Sequence, residues 1–211
     1  MPRLVCLSDT HGQHAFDVPD GDVLVHAGDL TKSGGLEEIE DAADWLRTLP
    51  HPHKVVIAGN HDFGFEKQPE AARALMGELT YLQDEAATVA GLRFWGTPWS
   101  PWFYDWAFNL QRGADIRRMW KRIPEGLDVL VVHGPPRGHG DVTHREESVG
   151  CSDLLVAIER TQPRYVVFGH IHEGYGITEA GGTTFVNASS CDWQYRPVNP
   201  PLVIDVEPQS D

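Results

Sequence analysis

The stretch Leu4-Val-Cys-Leu-Ser-Asp-Thr-His11 joins a short apolar run to an Asp-Thr-His triplet. Four later apolar runs are also followed by polar residues that can bind a ligand: Val23 to Val25, Val55 to Ala58, Val129 to Val132 and Tyr165 to Phe168. Short β-branched runs bounded by glycine or polar residues indicate strands buried on both faces. In open sheets, ligand sites collect beyond the carboxyl ends of such strands. The sequence therefore predicts an α/β fold with a site at the rim of the sheet.

Five polar clusters follow these runs, namely Asp9-Thr-His11, Gly28-Asp29, Gly59-Asn-His-Asp62, His133-Gly134 and Gly169-His-Ile-His172. Two divalent cations about 3.5 to 4 Å apart need a bridging carboxylate, and imidazole, carboxylate and amide oxygen suit the rest of their shells. In Asp-X-His and His-X-His both ligands lie on one side of an extended segment, because residues i and i+2 share a face. The clusters predict a two-metal site, with Asp29 as the natural bridge.

Each cluster alone is a weak signal. Gly28-Asp29 is a common turn dipeptide, and a single Asp-X-His pair is more often made of unrelated surface residues. Gly59-Asn-His-Asp62 is more specific, because a turn does not require histidine after asparagine. Only the five clusters together, each after a predicted strand, make unrelated turn residues the weaker explanation.

Length and composition predict a single domain over residues 1–211, since 41% of the residues are hydrophobic and seven are tryptophan. The apolar run near Met1 is too short for a signal peptide, and no stretch approaches the about 20 apolar residues of a membrane span. We therefore expect a cytoplasmic protein that does not bind membranes. Three cysteines without a Cys-X-X-Cys pattern predict buried thiols.

The formal charge of −14, from 31 acidic and 17 basic residues, argues against a long nucleic acid as partner. The basic residues between Arg117 and Arg122 resemble a solvated helix face. A small phosphate ester meets less repulsion, because bound cations add positive charge that this count omits. We expect a small phosphate ester as substrate, and the oligomeric state stays open.

Helices are expected over about Leu36 to Leu49, Pro69 to Leu79, Gln111 to Arg122 and Cys151 to Arg160, with short strands from Ala86 to Trp95 and further strands up to Val206. This alternation of β and α segments, ending in a β-rich part, is compatible with two packed sheets flanked by helices.

The five clusters together resemble the calcineurin-like metallophosphoesterases, whose motif pattern is complete here from residue 9 to residue 172. Four segments look like a narrower group, the small metallophosphoesterase-domain-containing proteins near the class III cyclic nucleotide phosphodiesterases: Thr97-Pro-Trp-Ser-Pro-Trp102, His133-Gly-Pro-Pro136, His172-Glu-Gly-Tyr-Gly176 and Asn187-Ala-Ser-Ser-Cys191. The resemblance implies a four-layer αββα sandwich with two mixed sheets. Some animal members lack the first histidine of Gly-His-X-His, whereas His170 is present here, which favours a full binuclear site.

The resemblance also implies a role for each site residue. The first metal would be held by Asp9, His11, Asp29 and His172, and the second by Asp29, Asn60, His133 and His170. Both would be divalent ions of manganese, iron or zinc, which mixed nitrogen and oxygen ligands accept. His61 would face the substrate, where it stabilises charge on phosphorus or protonates the leaving oxygen, while Asp62 fixes the tautomer and orientation of His61.

The implied activity is hydrolysis of small phosphodiesters, among them cyclic nucleotides, by attack of a metal-bridging hydroxide on phosphorus. Hydrolysis of phosphomonoesters or phosphoproteins is an alternative, and a non-catalytic binding scaffold on the same fold is another. The complete ligand set favours an enzyme, because scaffold members of such folds typically lose ligands.

The segment from Trp95 to Phe108 contains seven aromatic residues. The first interpretation is a loop packed onto the core. The second is a wall on which a nucleobase stacks, formed by Trp99, Trp102 and Phe103. Outside this segment, His26 is expected next to the metal ligands. His139 and His144 are expected to be solvated loop residues, with a position at the mouth of a cleft as the alternative. Cys191 is expected to be a buried structural thiol, with a position near the site as the alternative.

Overall fold

Two mixed sheets form the centre of the fold in the computed structural model, which describes residues 1–206. The predicted domain also includes residues 207–211, which lie outside the described residues. The strands are Arg3–Leu7 (β1), Val23–His26 (β2), His53–Val56 (β3), Thr80–Tyr81 (β4), Glu85–Val89 (β5), Leu92–Thr97 (β6), Ser100–Pro101 (β7), Asn109–Leu110 (β8), Val129–Val132 (β9), Tyr165–Phe168 (β10), Gly176–Ala180 (β11), Thr183–Asn187 (β12) and Leu202–Asp205 (β13). The helices are Leu36–Thr48 (α1), Phe63–Lys67 (α2), Pro69–Met76 (α3), Ala114–Trp120 (α4) and Ser152–Thr161 (α5).

The first sheet has the strand order β13-β1-β2-β3-β4, and the second has the order β11-β12-β10-β9-β6-β5. Both sheets have parallel central strands and antiparallel pairs at an edge, namely β1 with β13, β11 with β12 and β5 with β6. Strands β7 and β8 pair separately. Both main sheets are therefore mixed, as the family resemblance implies.

Alternate side chains of the strands fill three apolar layers. Leu4 and Cys6 of β1 pack between the two sheets with Val129 and Val131 of β9. The opposite face of the first sheet packs against α1, α2 and α3. The opposite face of the second sheet packs against α4 and α5, where Trp120 is fully buried. Because successive side chains of a strand point to opposite faces, these layers confirm the four-layer αββα sandwich.

The predicted helices are present with shifted ends. Helix α3 ends at Met76, three residues before the predicted Leu79, because Gly77 has a left-handed φ of 55° that a helix does not continue through. Helix α4 is shorter than predicted at both ends and begins after Gly113. Helix α2 was not predicted, since five residues are too few to show a helical period.

The fold brings the carboxyl ends of its parallel strands to one rim. Strands β1, β2 and β3 lie side by side in register, with Leu7 opposite His26 and His26 opposite Val56. In the second sheet, β9 and β10 are parallel neighbours. The two sheets meet at this rim through a bridge between Ser8 and Ser189. All five polar clusters therefore leave their strands toward the same place.

Two further features agree with the sequence. The three cysteines are unpaired and buried, as predicted. No helix in residues 1–206 combines the length and apolar character needed to cross a membrane.

Candidate metal centre

Two loops form the floor of the site. The backbone amides of Asp9, His11 and Gly12 donate hydrogen bonds of 2.9, 3.0 and 2.8 Å to the carbonyls of Gly28, Asp29 and Leu30 in turn. The loop after β1 and the loop after β2 are thus joined by their main chains. This pairing fixes the separation of the Asp9 and Asp29 carboxylates before any ligand binds.

Four site residues have a left-handed backbone although none is glycine. The φ angles are 54° at Asp9, 47° at His11, 54° at Asp29 and 68° at His170. For an L-residue this conformation costs about 1 to 2 kcal/mol. Such outliers persist where the surrounding structure enforces them, which is common at functional sites.

Two glycines of the motifs are required by close approach. A side chain at Gly59 would collide with the carboxylate of Asp29 and with the ring of His133. A side chain at Gly169 would collide with the carboxylate of Asp9. The glycines before Asn60 and His170 therefore let two loops reach the carboxylates.

The first group of possible metal ligands contains Asp9, His11 and His172, whose ligand atoms lie within 4.8 Å of one another. The Nε2 atom of His172 lies 3.4 Å from Oδ1 of Asp9 and 3.4 Å from Nε2 of His11. Oδ2 of Asp29 lies 3.9 Å from Nε2 of His11. These are the four residues that the sequence analysis gives to the first metal.

The second group contains Asp29, His133 and His170, again with ligand atoms within 4.8 Å of one another. Nε2 of His133 lies 3.4 Å from Oδ1 of Asp29 and 2.8 Å from Oδ1 of Asn60. Asp29 therefore presents one carboxylate oxygen to each group. The structure thus brings all seven predicted ligands together. A third group, His11, Asp29 and His61, also has its ligand atoms within 4.8 Å of one another, so the division into two sets without His61 stays a prediction.

The hydrogen bonds of the imidazoles show that this donor set suits a cation. Nδ1 donates to a backbone carbonyl in His11 (Thr31, 3.3 Å), in His133 (Ala27, 2.9 Å) and in His172 (Asp192, 2.8 Å). In the neutral form each Nε2 atom then carries a lone pair. The lone pairs of His11 and His172 face each other, that of His172 also faces an Asp9 oxygen, and that of His133 faces the Asn60 oxygen. Each of these contacts therefore brings two hydrogen-bond acceptors together. A cation resolves such a contact, and its ligating histidines commonly donate their other N–H in this way.

The charges of the site are strongly coupled. Burial opposes protonation of His133, but the charge of Asp29 and their hydrogen bond outweigh it and raise the pKa of His133 to about 9. Burial also opposes protonation of His172, and Asp9 likewise raises the pKa of His172 to about 9. Burial lowers the pKa of His11 and of His170 to about 4, so both rings are neutral at pH 7. Without metal, protons on His133 and His172 balance the two carboxylates.

His61 lies at the open side of the site. Its Nδ1 donates to the carbonyl of Lys32 at 2.8 Å, and its Nε2 lies 3.9 Å from Oδ2 of Asp29. Its ring packs against Trp106, with centroids 4.2 Å apart. His61 therefore presents Nε2 toward the space between the ligand groups and the cleft.

The predicted contact between Asp62 and the ring of His61 is wrong. The Asp62 carboxylate is fully buried and accepts hydrogen bonds from the amides of Leu30, Thr31 and Gly59 and from the Thr31 hydroxyl. Burial, then the charge of Asp29, raises the pKa of Asp62 to about 6. Asp62 thus joins the loop after β2 to the loop after β3, while the Lys32 carbonyl fixes the tautomer of His61.

The aromatic segment divides into a buried and an exposed part. Trp99 packs against Phe108 and donates its indole N–H to Asp84 at 2.8 Å, so it is not part of a stacking wall, contrary to the second interpretation. Trp102 and Phe103 are 50% and 58% exposed and remain available to a ligand. The first interpretation therefore applies to Trp99, and the stacking wall stays a prediction for Trp102 and Phe103.

A cleft of about 290 Å³ opens above the ligands. Besides His61, Trp106 and the ligands, it is lined by Phe103, His144, Glu173, Trp193 and Tyr195. His144 is exposed, as predicted, bonds Glu173 at 3.0 Å and also lies at the mouth of the cleft, whereas His139 stacks on Phe185 and does not line the cleft.

Sequence reasoning missed several residues of the site. Ser189 donates to Oδ2 of Asp9 at 2.9 Å. The ring of Tyr195 lies 4.7 Å from that of His11, centroid to centroid. Both belong to the segment after β12, whose only sequence signal was its resemblance to relatives. His26 bonds Thr10 between two ligands and is near the site, as expected. Cys191 is buried, as predicted, and the alternative also applies, because it lies behind the same loop with its sulfur 3.9 Å from the Thr10 carbonyl.

Comparisons with known proteins agree with this geometry. A family model described as calcineurin-like phosphoesterase matches residues 2–174. The chain is 45% identical over 230 residues to metallophosphoesterase domain-containing protein 1 of Homo sapiens, covering 97% of this chain and 71% of that protein. It is 40% identical over 227 residues to a UPF0046 protein of Caenorhabditis elegans, covering 97% and 80%.

Among solved structures, TT1561 of Thermus thermophilus superposes with a TM-score of 0.60 at 13% identity, covering 88% of each chain. Another crystal structure superposes with a TM-score of 0.72 at 16% identity and covers 92% of each chain. Identities this low show a shared fold only. Because the family model spans most of the chain and includes every predicted ligand, this protein belongs to the calcineurin-like phosphoesterases, a family of metal-dependent hydrolases.

Proposed function

We propose that this protein is a binuclear metal-dependent phosphodiesterase that hydrolyses small phosphodiesters, including cyclic nucleotides. The observation that carries the proposal is the position of Asp29, whose Oδ1 lies 3.4 Å from His133 and whose Oδ2 lies 3.9 Å from His11. A carboxylate that faces two groups of nitrogen and oxygen donors is the arrangement that a pair of cations requires.

Asp9, His11, Asp29 and His172 would hold one cation, and Asp29, Asn60, His133 and His170 the other. Manganese, iron and zinc all suit this mixture of nitrogen and oxygen donors. The two cations would polarise the phosphoryl oxygens and lower the pKa of a water molecule that attacks phosphorus. The protein's own part is to fix the donors through the buried carbonyl contacts of their Nδ1 atoms.

The charges around the cleft favour a diester over a monoester. Among the described residues that line the cleft, none is lysine or arginine, and Glu173 adds a carboxylate at the mouth. A diester carries one negative charge, whereas a monoester carries nearly two at neutral pH. In a chain with a formal charge of −14, the second charge would find no lysine or arginine among the residues that line the cleft.

His61 is suited to assist the leaving oxygen. Its Nδ1 proton is held by the Lys32 carbonyl, so a second proton on Nε2 would point away from that carbonyl, toward the cleft. Alkoxide leaving groups, as in cyclic nucleotides, need such a proton more than nitrophenolate does. We therefore propose His61 as the general acid, and Asp62 as a positioning residue that holds the loops around it.

The test is hydrolysis by protein that has been stripped with chelator and then reloaded with Mn²⁺, Fe²⁺ or Zn²⁺. The substrates are bis(p-nitrophenyl) phosphate, 2′,3′- and 3′,5′-cyclic nucleotides and the monoester p-nitrophenyl phosphate. We expect no activity without metal and a higher kcat/KM for diesters. Full activity in stripped protein would contradict the metal requirement.

The same substrates separate the alternatives. A clear preference for p-nitrophenyl phosphate would favour a phosphomonoesterase or phosphoprotein phosphatase. Two bound metals without hydrolysis of any ester would favour a binding scaffold. A small substrate, no long nucleic acid, no membrane and a cytoplasmic location are part of this proposal.

A further inference from the structure

A second cavity lies beside the metal centre and has no part in the proposed function so far. Its volume is about 180 Å³, and its apolar wall is formed by Pro101, Trp102, Phe103, Pro135, Val149 and Ile171. His170 and Phe103 line both this cavity and the cleft above the ligands. The cavity therefore adjoins the cleft in which phosphorus would bind.

The cavity lies on one particular flank of the site. His170 groups with Asp29 and His133, whereas His61 groups with Asp29 and His11. The cavity borders His170, and His61 is not part of its wall. A substrate whose leaving oxygen meets His61 would thus direct its other ester arm toward the cavity.

The charge of the cavity does not suit a phosphate. Arg112 is its one cationic side chain among the residues that line it. One guanidinium nitrogen of Arg112 donates to the Gly150 carbonyl at 2.8 Å, and the other donates to the Val149 carbonyl. Arg112 therefore holds the loop that carries Val149, and most of the remaining wall is carbon.

Size and chemistry together indicate the occupant. A dry apolar cavity of about 150 Å³ in another protein accepts benzene, so a cavity of about 180 Å³ has room for one flat ring. Trp102 and Phe103 offer faces on which such a ring can pack. A methyl or ethyl group would leave most of this wall in contact with water.

We propose that the cavity binds the ester arm that stays on phosphorus and selects an aromatic ring over a small alkyl group. The inference rests on the proposed diesterase activity, because the cavity is given a role relative to the leaving group. Each ring carbon that enters the cavity leaves water for an apolar wall, which is favourable by itself. The substrate class is thus narrowed to diesters whose retained arm is an aryl group or carries a heteroaromatic ring.

The experiment compares phenyl p-nitrophenyl phosphate with methyl p-nitrophenyl phosphate, which share one leaving group. The measured quantity is the ratio of their kcat/KM values, divided by the same ratio for hydroxide-catalysed hydrolysis. We expect a corrected ratio of at least about ten, since contacts of a few carbons in an apolar pocket discriminate by about that factor. A ratio near one would overturn the proposal.

Two variants change the cavity in opposite ways. Val149→Trp fills it, and Trp102→Ala removes one wall at a half-exposed position where the core is not disturbed. Both should bring the corrected ratio close to one. The matched control is Val156→Trp, because Val156 is 64% exposed on α5, outside the cavity lining, and should leave the ratio unchanged. An unchanged ratio in both cavity variants would contradict the assignment.

A binding measurement keeps this inference separate from the proposed function. Calorimetry with phenylphosphonate and methylphosphonate should show tighter binding of the phenyl compound, and Val149→Trp should remove the difference. If neither diester is hydrolysed but this difference is found, the diesterase proposal fails and the cavity assignment stands. Equal affinities for both phosphonates would overturn the cavity assignment, whatever the activity.

Discussion

The Nε2 atoms of His11 and His172 lie 3.4 Å apart although the Nδ1 atom of each ring already donates to a backbone carbonyl. Two neutral rings in this arrangement bring two lone pairs together. The contact becomes favourable when a proton or a cation lies between the rings and Asp9. Protons and metal ions therefore compete for the same position.

This competition predicts how metal affinity depends on pH. Because Asp29 and Asp9 overcome the effect of burial and raise the pKa values of His133 and His172 to about 9, both rings bind a proton in the metal-free protein between pH 6 and 8. Each cation must displace one of them, so affinity should rise by about tenfold per pH unit and per proton and level off above pH 9. Titration against a competing chelator measures this. Affinity independent of pH from 6 to 8 would contradict it.

Asp29→Asn should reduce the number of tightly bound metals below two per chain and abolish turnover. The amide keeps an oxygen for the His61 backbone N–H, which Oδ1 of Asp29 accepts at 2.8 Å, but it removes the negative charge that both cations would share. Metal content by elemental analysis is the readout. Exposed Asp20 offers the matched control, Asp20→Asn, which should retain both metals. Two metals in Asp29→Asn would refute the bridge.

Substitutions at the adjacent residues Asn60 and His61 should separate the effect on catalysis from the effect on metal binding. His61→Gln should keep both metals and slow hydrolysis of a cyclic nucleotide by about 10² to 10⁴, the usual contribution of a positioned acid or base. Bis(p-nitrophenyl) phosphate should be affected less, because its leaving group needs no proton. Asn60→Ala, in contrast, should lose metal. The roles would have to be exchanged if His61→Gln lost metal and Asn60→Ala kept it.

The left-handed backbone of His170, with φ of 68°, predicts a difference between two small residues. In metal-free protein, His170→Gly should be more stable than His170→Ala by about 1 kcal/mol, since glycine adopts this conformation without the Cβ penalty. Urea unfolding measures the difference, and both variants lack the imidazole. The control pair is His172→Gly and His172→Ala at the start of a 3₁₀ turn, where glycine should be the less stable residue. If the same residue, glycine or alanine, gave the more stable variant at both positions, this result would argue against backbone strain at His170.

The five strands that precede the ligand clusters were predictable, together with the ligand set, because their signals are local, whereas the two-residue strands β4, β7 and β8 were not predicted. A β-branched run followed within a few residues by Asp-X-His or Gly-Asn-His-Asp is visible in a short window, and parallel strands bring their carboxyl ends to one rim. The helices other than α2 were predictable in position but not in their ends, since the end of α3 depends on one glycine with a positive φ, Gly77.

Other features depend on contacts between distant parts of the chain. His170 donates its amide to Asp9 across 161 positions, and Ser189 reaches the same carboxylate across 180. The sequence alone suggested that Asp62 orients His61, because they are neighbours, whereas the folded chain uses Asp62 to join two loops. Such contacts are set by the register and packing of two sheets, and no local pattern encodes them.

The amino-acid sequence by itself therefore determined the family, the order of strands and ligands, and the candidate donors, because residue type and short spacing carry that information. Only the tertiary structure decided which oxygen of Asp29 faces which group, that Trp99 is partly buried against the core while Trp102 is exposed, and that an apolar cavity adjoins His170. These three features depend on side chains from separate elements, because the packing of those elements sets both the direction of each side chain and its distance from the others.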